Sequence, residues 1–168
     1  YAGERLDRPV CLKGVFAAPG IDLLDPDAWI PAALDELAGR VDALRDPDEF
    51  RPLCVHPRPF GVRIVDRILG ADVYPDPVHP IWHTRRLSTP IGELPAPDLD
   101  RNEVWLATRR HADLFLEADV RLPLFGNPAF SNVLNTAMNL YGEELFVAMA
   151  TEPAKVKRDF RVITDTIR

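Results

Sequence analysis

Apolar residues recur at Ile30, Leu34, Leu37, Val41 and Leu44, a three-and-four spacing that lays one stripe along a helix. Asp25 can cap that helix. Pro26 suits its first position, where a missing N–H has no partner to lose. Pro47 then disfavours helical geometry at Asp46 and ends the segment. A second stripe, Val104, Ala107, His111, Leu114, Phe115 and Ala118, lies behind Asp100 and Glu103, which read as a capping box. A third runs through Val156, Phe160, Ile163 and Ile167, and helices over Phe130 to Leu140 and Glu143 to Ala150 precede it. "GVRIVDRILG" reads as a short helix stopped by Gly70, a residue suited to a left-handed cap.

Between these helices stand short apolar runs. "VCLKGVFAAP" alternates imperfectly and reads as a strand; "PLCVHPRPFG", "ADVY" and "VRLPLFG" read as others, with strands near Leu53–Val55, Asp72–Tyr74 and Leu122–Phe125. Asp76 to Asp100 carries Pro77, Pro80, Pro90, Pro95 and Pro97 without helical period, and reads as an extended surface excursion with one strand near Leu87. An excursion of this length is commonly functional or covers something. The alternation of strand and helix predicts an α/β fold with parallel strands.

The length of 168 residues predicts a single domain over 1–168. An apolar fraction of 46% with 27% charged residues is that of an ordinary globular protein. A net charge of −6 argues against a nucleic-acid surface but leaves room for a local basic pocket. No apolar run is long enough to span a membrane, and the charged opening residues do not resemble a secretory leader. Cys11 and Cys54 make no metal or disulfide framework, so a reducing, cytoplasmic setting is expected.

Candidate chemistry gathers where strands end. In parallel α/β proteins the loops after the strands hold ligands. "FGNPAF" is such a loop: Gly126 permits a tight backbone, Pro128 sets the entry to a helix, and Asn127 and Asn132 offer amides. A plain strand–helix turn explains Gly-Asn-Pro equally well. His56 and Arg58 follow another strand, and a guanidinium suits a substrate carboxylate. Cys54 and His56 would share a strand face, but no third ligand is near, and a buried thiol beside a turn histidine is the simpler reading. His79 and His83 are four apart with Pro80 between them, which argues against a helical metal pair. Arg85 and Arg86 supply further guanidinium groups. The carboxylate pairs Asp25/Asp27, Asp46/Asp48 and Asp98/Asp100 fall at helix starts, where they complement the dipole. Trp29, Trp82 and Trp105 read as packing residues. No nucleophile elbow, P-loop or dinucleotide fingerprint is present.

"PLFGNPAFSNVLNTAMNLYGEELFVAMATEPAKVKRDFRVITDTIR" resembles the uroporphyrinogen decarboxylase superfamily. The marks are Gly126-Asn127-Pro128 between strand and helix, Gly142-Glu143-Glu144-Leu145, and Glu152-Pro153 opening the next helix. "ERLDRPV", "FRPLCVHPRPFGVRIVDRILGADV" and "PAPDLDRNEVW" have counterparts in decarboxylase-like members, so the landmarks run in order along nearly the whole chain. The resemblance implies the N-terminal portion of a (β/α)8 barrel with outer helices, because a complete barrel takes about 250 residues. It implies a lyase or transferase acting on a carboxylated or methylated small molecule, by decarboxylation or corrinoid-linked methyl transfer, once the later half is present. The alternative is a non-catalytic binding or partner subunit on a barrel-derived frame. Zinc and a corrinoid partner would belong to the later half of the methyltransferase branch. The early arginine-rich motif of the decarboxylase branch is absent, so this segment alone is expected to be inactive and free of metal. His56, Arg58, Asn127 and Asn132 are expected to meet a small-molecule substrate at one barrel mouth. A homodimer, or association with the later half, would cover the open edges; no nucleic-acid or membrane partner is expected.

Overall fold

The computed structural model describes residues 11–12, 14–42, 49–50, 52–79, 81–121, 123–126 and 129–168. The chain divides into two compact units, one from Tyr1–Pro57 and Arg109–Asn127, the other from Arg58–Thr108 and Pro128–Arg168.

Unit 1 is built on short parallel strands. β1 (Cys11–Leu12) pairs with β3 (Glu49–Phe50), and β2 (Val15–Ala17), β4 (Leu53–Val55) and β7 (Leu124–Phe125) form a three-stranded sheet in the order β2-β4-β7. Val15 stands opposite Leu53, and Cys54 opposite Leu124. The α/β class and the parallel strand at Leu53–Val55 agree with the sequence reading. The apolar run "VCLKGVFAAP" divides into two strands in separate sheets. Among the described residues the sheet does not close into a barrel.

α1 (Pro26–Ala38) covers this sheet. Asp25 accepts a hydrogen bond from Ala28 N at 3.2 Å, and Pro26 opens the helix as its chemistry requires. Trp29, Ile30, Ala33 and Leu37 pack with Ala17, Leu53 and Val55 into one apolar core. The helix ends at Ala38 rather than running on toward Leu44. Gly39 is a poor interior residue, and Arg40 turns its guanidinium to Phe16 O at 3.2 Å. Val41 is therefore exposed, and Leu44 lies outside the described residues.

Unit 2 holds the remaining elements: a 3₁₀ turn (Gly61–Arg63) running into α2 (Ile64–Ile68), β5 (Val73–Pro75), β6 (Trp82–Thr84), α4 (Val133–Tyr141), α5 (Glu144–Thr151) and α6 (Pro153–Ile167). α3 (Glu103–Glu117) begins in this unit and ends in the other. Gly70 takes φ +91° just past α2, as its cap role predicts. Leu140, Leu145, Val156 and Ile163 from the last three helices are each buried, as are Ile64, Leu94 and Val104.

Two expectations need correction here. β5 is antiparallel, not parallel: it pairs with β6, Val73 opposite Thr84 and Pro75 opposite Trp82, because the Asp76 side chain closes a turn between them. No strand forms at Leu87. Its N–H donates instead to Leu140 O at 2.9 Å, at the end of α4. A smaller difference lies at α3, where Asn102 rather than Asp100 caps the helix and its Oδ1 accepts from Trp105 N at 3.1 Å.

Candidate functional site

Unit 2 contains a recess of about 410 Å³ lined by Arg58, Gly61, Val62, Arg63, Ile81, Trp82, His83 and Ala129. Its walls follow from local geometry. Phe60 and Gly61 both have positive φ, 58° and 54°, which folds the chain tightly after Arg58 and starts the 3₁₀ turn that presents Arg63. A Cβ on Gly61 would come within 3.2 Å of the Trp82 ring at a positive φ, so glycine lets the turn lie against the indole without strain. Phe60 meets Trp82 edge-on at 5.3 Å between centroids.

Polar contacts hold the lining in place. Arg63 donates from Nε to Trp82 O at 3.4 Å and brings Nη1 to 3.9 Å from Asp66 Oδ2. Asp66 is fully buried. Its Oδ2 accepts from Thr84 Oγ1 at 2.5 Å and from Asn139 Nδ2 at 2.9 Å, which ties α2, β6 and α4 together. Burial pushes the Asp66 carboxyl up, against the lowering effects of Thr84, Arg63 and Asn139. On the hairpin, Asp76 Oδ2 lies 2.8 Å from His83 Nε2, while Oδ1 accepts from Val78 N and His79 N, both at 2.8 Å. The His83 hydrogen bond, then those N–H groups, hold the Asp76 carboxyl far below the usual carboxylate range.

Of the residues expected to form a site, Arg58 lines this recess and is exposed. Asn132 does not line it. It caps α4, its Oδ1 accepting from Asn135 N at 2.9 Å, and that helix starts at Val133 rather than Phe130. His56 belongs to unit 1, where its ring lies 5.6 Å from that of Phe16. Asn127 and Pro128 lie outside the described residues. Trp82 and His83 are the lining residues that a packing role and a rejected metal pair had set aside. A signal was present: an aromatic beside a histidine, bracketed by prolines in a long excursion.

The tight backbone expected at Gly126 is real. Its N–H donates to Val55 O at 2.8 Å, and a Cβ there would fall 1.9 Å from His56 Nδ1. Gly126→Ala is therefore expected to displace the His56 ring and cost about 1–3 kcal/mol. A urea melt with an unchanged midpoint would contradict this.

Cys54 is half-buried with Sγ 3.6 Å from Val55 O. Among the described residues no group of three or more His, Cys, Asp or Glu side chains is placed to hold a metal ion. No described helix is long and apolar enough to cross a membrane. Comparison of the chain with protein-family models, with curated proteins and with solved structures finds no match.

Proposed function

We propose that the chain is part of a uroporphyrinogen decarboxylase-like enzyme acting on a carboxylated or methylated small molecule, by decarboxylation or corrinoid-linked methyl transfer. In this reading the unit 2 recess grips the ligand's carboxylate. The observation that carries it is the pair Arg58 and Arg63 on one recess beside the Trp82 indole. A planar guanidinium matches a carboxylate in two parallel hydrogen bonds, and an indole face suits a flat ring. The parallel order β2-β4-β7, with α1 between β2 and β4 and helices α2 and α3 between β4 and β7, supports a barrel-like frame. The ordered sequence landmarks support the family.

Calorimetric titration with pyrrole-2-carboxylate tests the recess, with the corresponding neutral amide as control. The acid is expected to bind and the amide to bind far more weakly. One charge-assisted contact contributes about 1.5–3 kcal/mol, so Arg58→Ala should weaken the acid about tenfold or more. Arg58 is exposed, which leaves the fold intact in that variant. Equal binding of acid and amide, or unchanged affinity in Arg58→Ala, would refute the reading.

A further inference from the structure

We infer that His83, held by Asp76, is the proton-exchanging group of the unit 2 recess, acting on the carboxylated ligand that Arg58 and Arg63 grip. The inference rests on the carboxylate reading of that recess. His83 lines the recess together with both arginines. Its Nε2 lies 2.8 Å from Asp76 Oδ2. Asp76 is itself oriented by the Val78 and His79 N–H groups, each at 2.8 Å, which present its other oxygen to the ring. A carboxylate acceptor places a ring proton on Nε2, so in the singly protonated ring Nδ1 carries the lone pair. No described group bonds that second nitrogen. This is the base-and-orienter arrangement on which general acid–base catalysis depends.

The proton accounting closes without any added reagent. The Nδ1 lone pair takes a proton from an acidic bond of the ligand, and the electron pair of that bond stays on the ligand. The resulting imidazolium sits beside ionised Asp76. His83 is 40% exposed, so water can later remove or return the proton. A plain hairpin latch is the competing role for the same contact. His79 supplies the comparison. It shares Asp76, at 3.2 Å from Nδ1, but is 69% exposed and does not line the recess.

Alkylation separates the roles. Iodoacetate carries a carboxylate and iodoacetamide does not. With either, the imidazole nitrogen attacks the methylene carbon, the carbon–iodine bond breaks and iodide leaves. The whole chain is treated with each reagent, and rates are read residue by residue by peptide mass mapping, which keeps cysteine modification apart. At His83 the ratio of iodoacetate to iodoacetamide rates is expected to exceed that at His79 about tenfold, the worth of one charge-assisted contact. Arg58→Ala should bring the His83 ratio down to that of His79. Asp76→Asn keeps an oxygen for the turn N–H groups but removes the charge behind His83. It should slow His83 with both reagents and leave the ratio unchanged. Equal ratios at the two histidines, or an inert His83, would overturn the inference. If pyrrole-2-carboxylate still binds while His83 is inert, this inference fails and the carboxylate reading stands. If neither is seen, both fail.

Discussion

Replacing Asp159 with alanine is expected to lower the unfolding free energy of unit 2 by about 3–5 kcal/mol. Asp159 is 1% exposed and sits on α6 among three donors. Its Oδ2 accepts from Gly92 N at 2.7 Å and from Tyr141 Oη at 2.8 Å, and its Oδ1 accepts from Leu94 N at 3.2 Å. Truncation strands two backbone N–H groups and a phenol, each costing about 1–3 kcal/mol when left unpaired in a core. Some relief comes from water entering the vacated space, which is why the total falls short of the sum. A urea titration followed by far-UV circular dichroism measures this; a change under 1 kcal/mol would show that the proline-bounded segment 90–95 is held by something else. The same cluster predicts an alkaline limb. Burial first, and the hydrogen bond to Asp159 second, raise the Tyr141 phenol well above its usual value. A raised folded-state pKa gives stability that is whole below the unfolded phenol value near 10 and is lost as pH climbs past it. Tyr141→Phe should flatten that limb.

The second large effect belongs to Asp66. Asp66→Ala leaves the Thr84 hydroxyl and the Asn139 amide without their acceptor and opens a void, at an expected cost of about 2–4 kcal/mol. Asp66→Asn should behave differently. Burial is the largest influence on the Asp66 carboxyl and raises it, so its contribution to stability is complete below the ordinary carboxylate value near 4 and shrinks as pH rises through the folded-state value. The asparagine variant has no such charge to bury. Its stability should therefore stay flat where the parent protein's declines as pH rises above the ordinary carboxylate range. Parallel urea melts at several pH values decide the matter, and identical slopes for the two proteins would contradict it. Arg63 links this buried carboxylate to the recess, so loss of Asp66 should also loosen one wall of the candidate site.

What the sequence made legible was local. The Asp25 cap with Pro26, the strand at Leu53–Val55, the Gly70 stop and the three final helices are each written in a few consecutive residues, and each is present. What it hid depends on partners far along the chain. β6 is three residues long in a proline-rich stretch, and only pairing with β5 makes it a strand. Nothing in the local sequence singles out Asp66 or Asp159; their roles depend on Thr84 and Asn139, or on Gly92, Leu94 and Tyr141, which close over them. Of the candidate residues, Arg58, picked out by its place after a strand, lines the unit 2 recess. His83 was not picked out, since its pairing with Asp76 is a property of the hairpin rather than of spacing. Asn132 shows the converse, an amide that could serve a ligand and instead caps α4.

The interleaving of the two units has a consequence for how the polypeptide is made. Each unit draws on two separated stretches, and the second stretch of each comes after the first stretch of the other. During synthesis, β2 and β4 leave the ribosome long before β7, whose Leu124 stands opposite Cys54. The first stretch of unit 2, Arg58–Thr108, must be translated before that sheet gains its third strand, and α4, α5 and α6 follow later still. Closing so long a loop is entropically costly and places the chain among slow, non-local folders. Nascent chains arrested before Leu124 should therefore be protease-sensitive throughout, in both units at once, rather than carrying one finished unit ahead of an unfinished one.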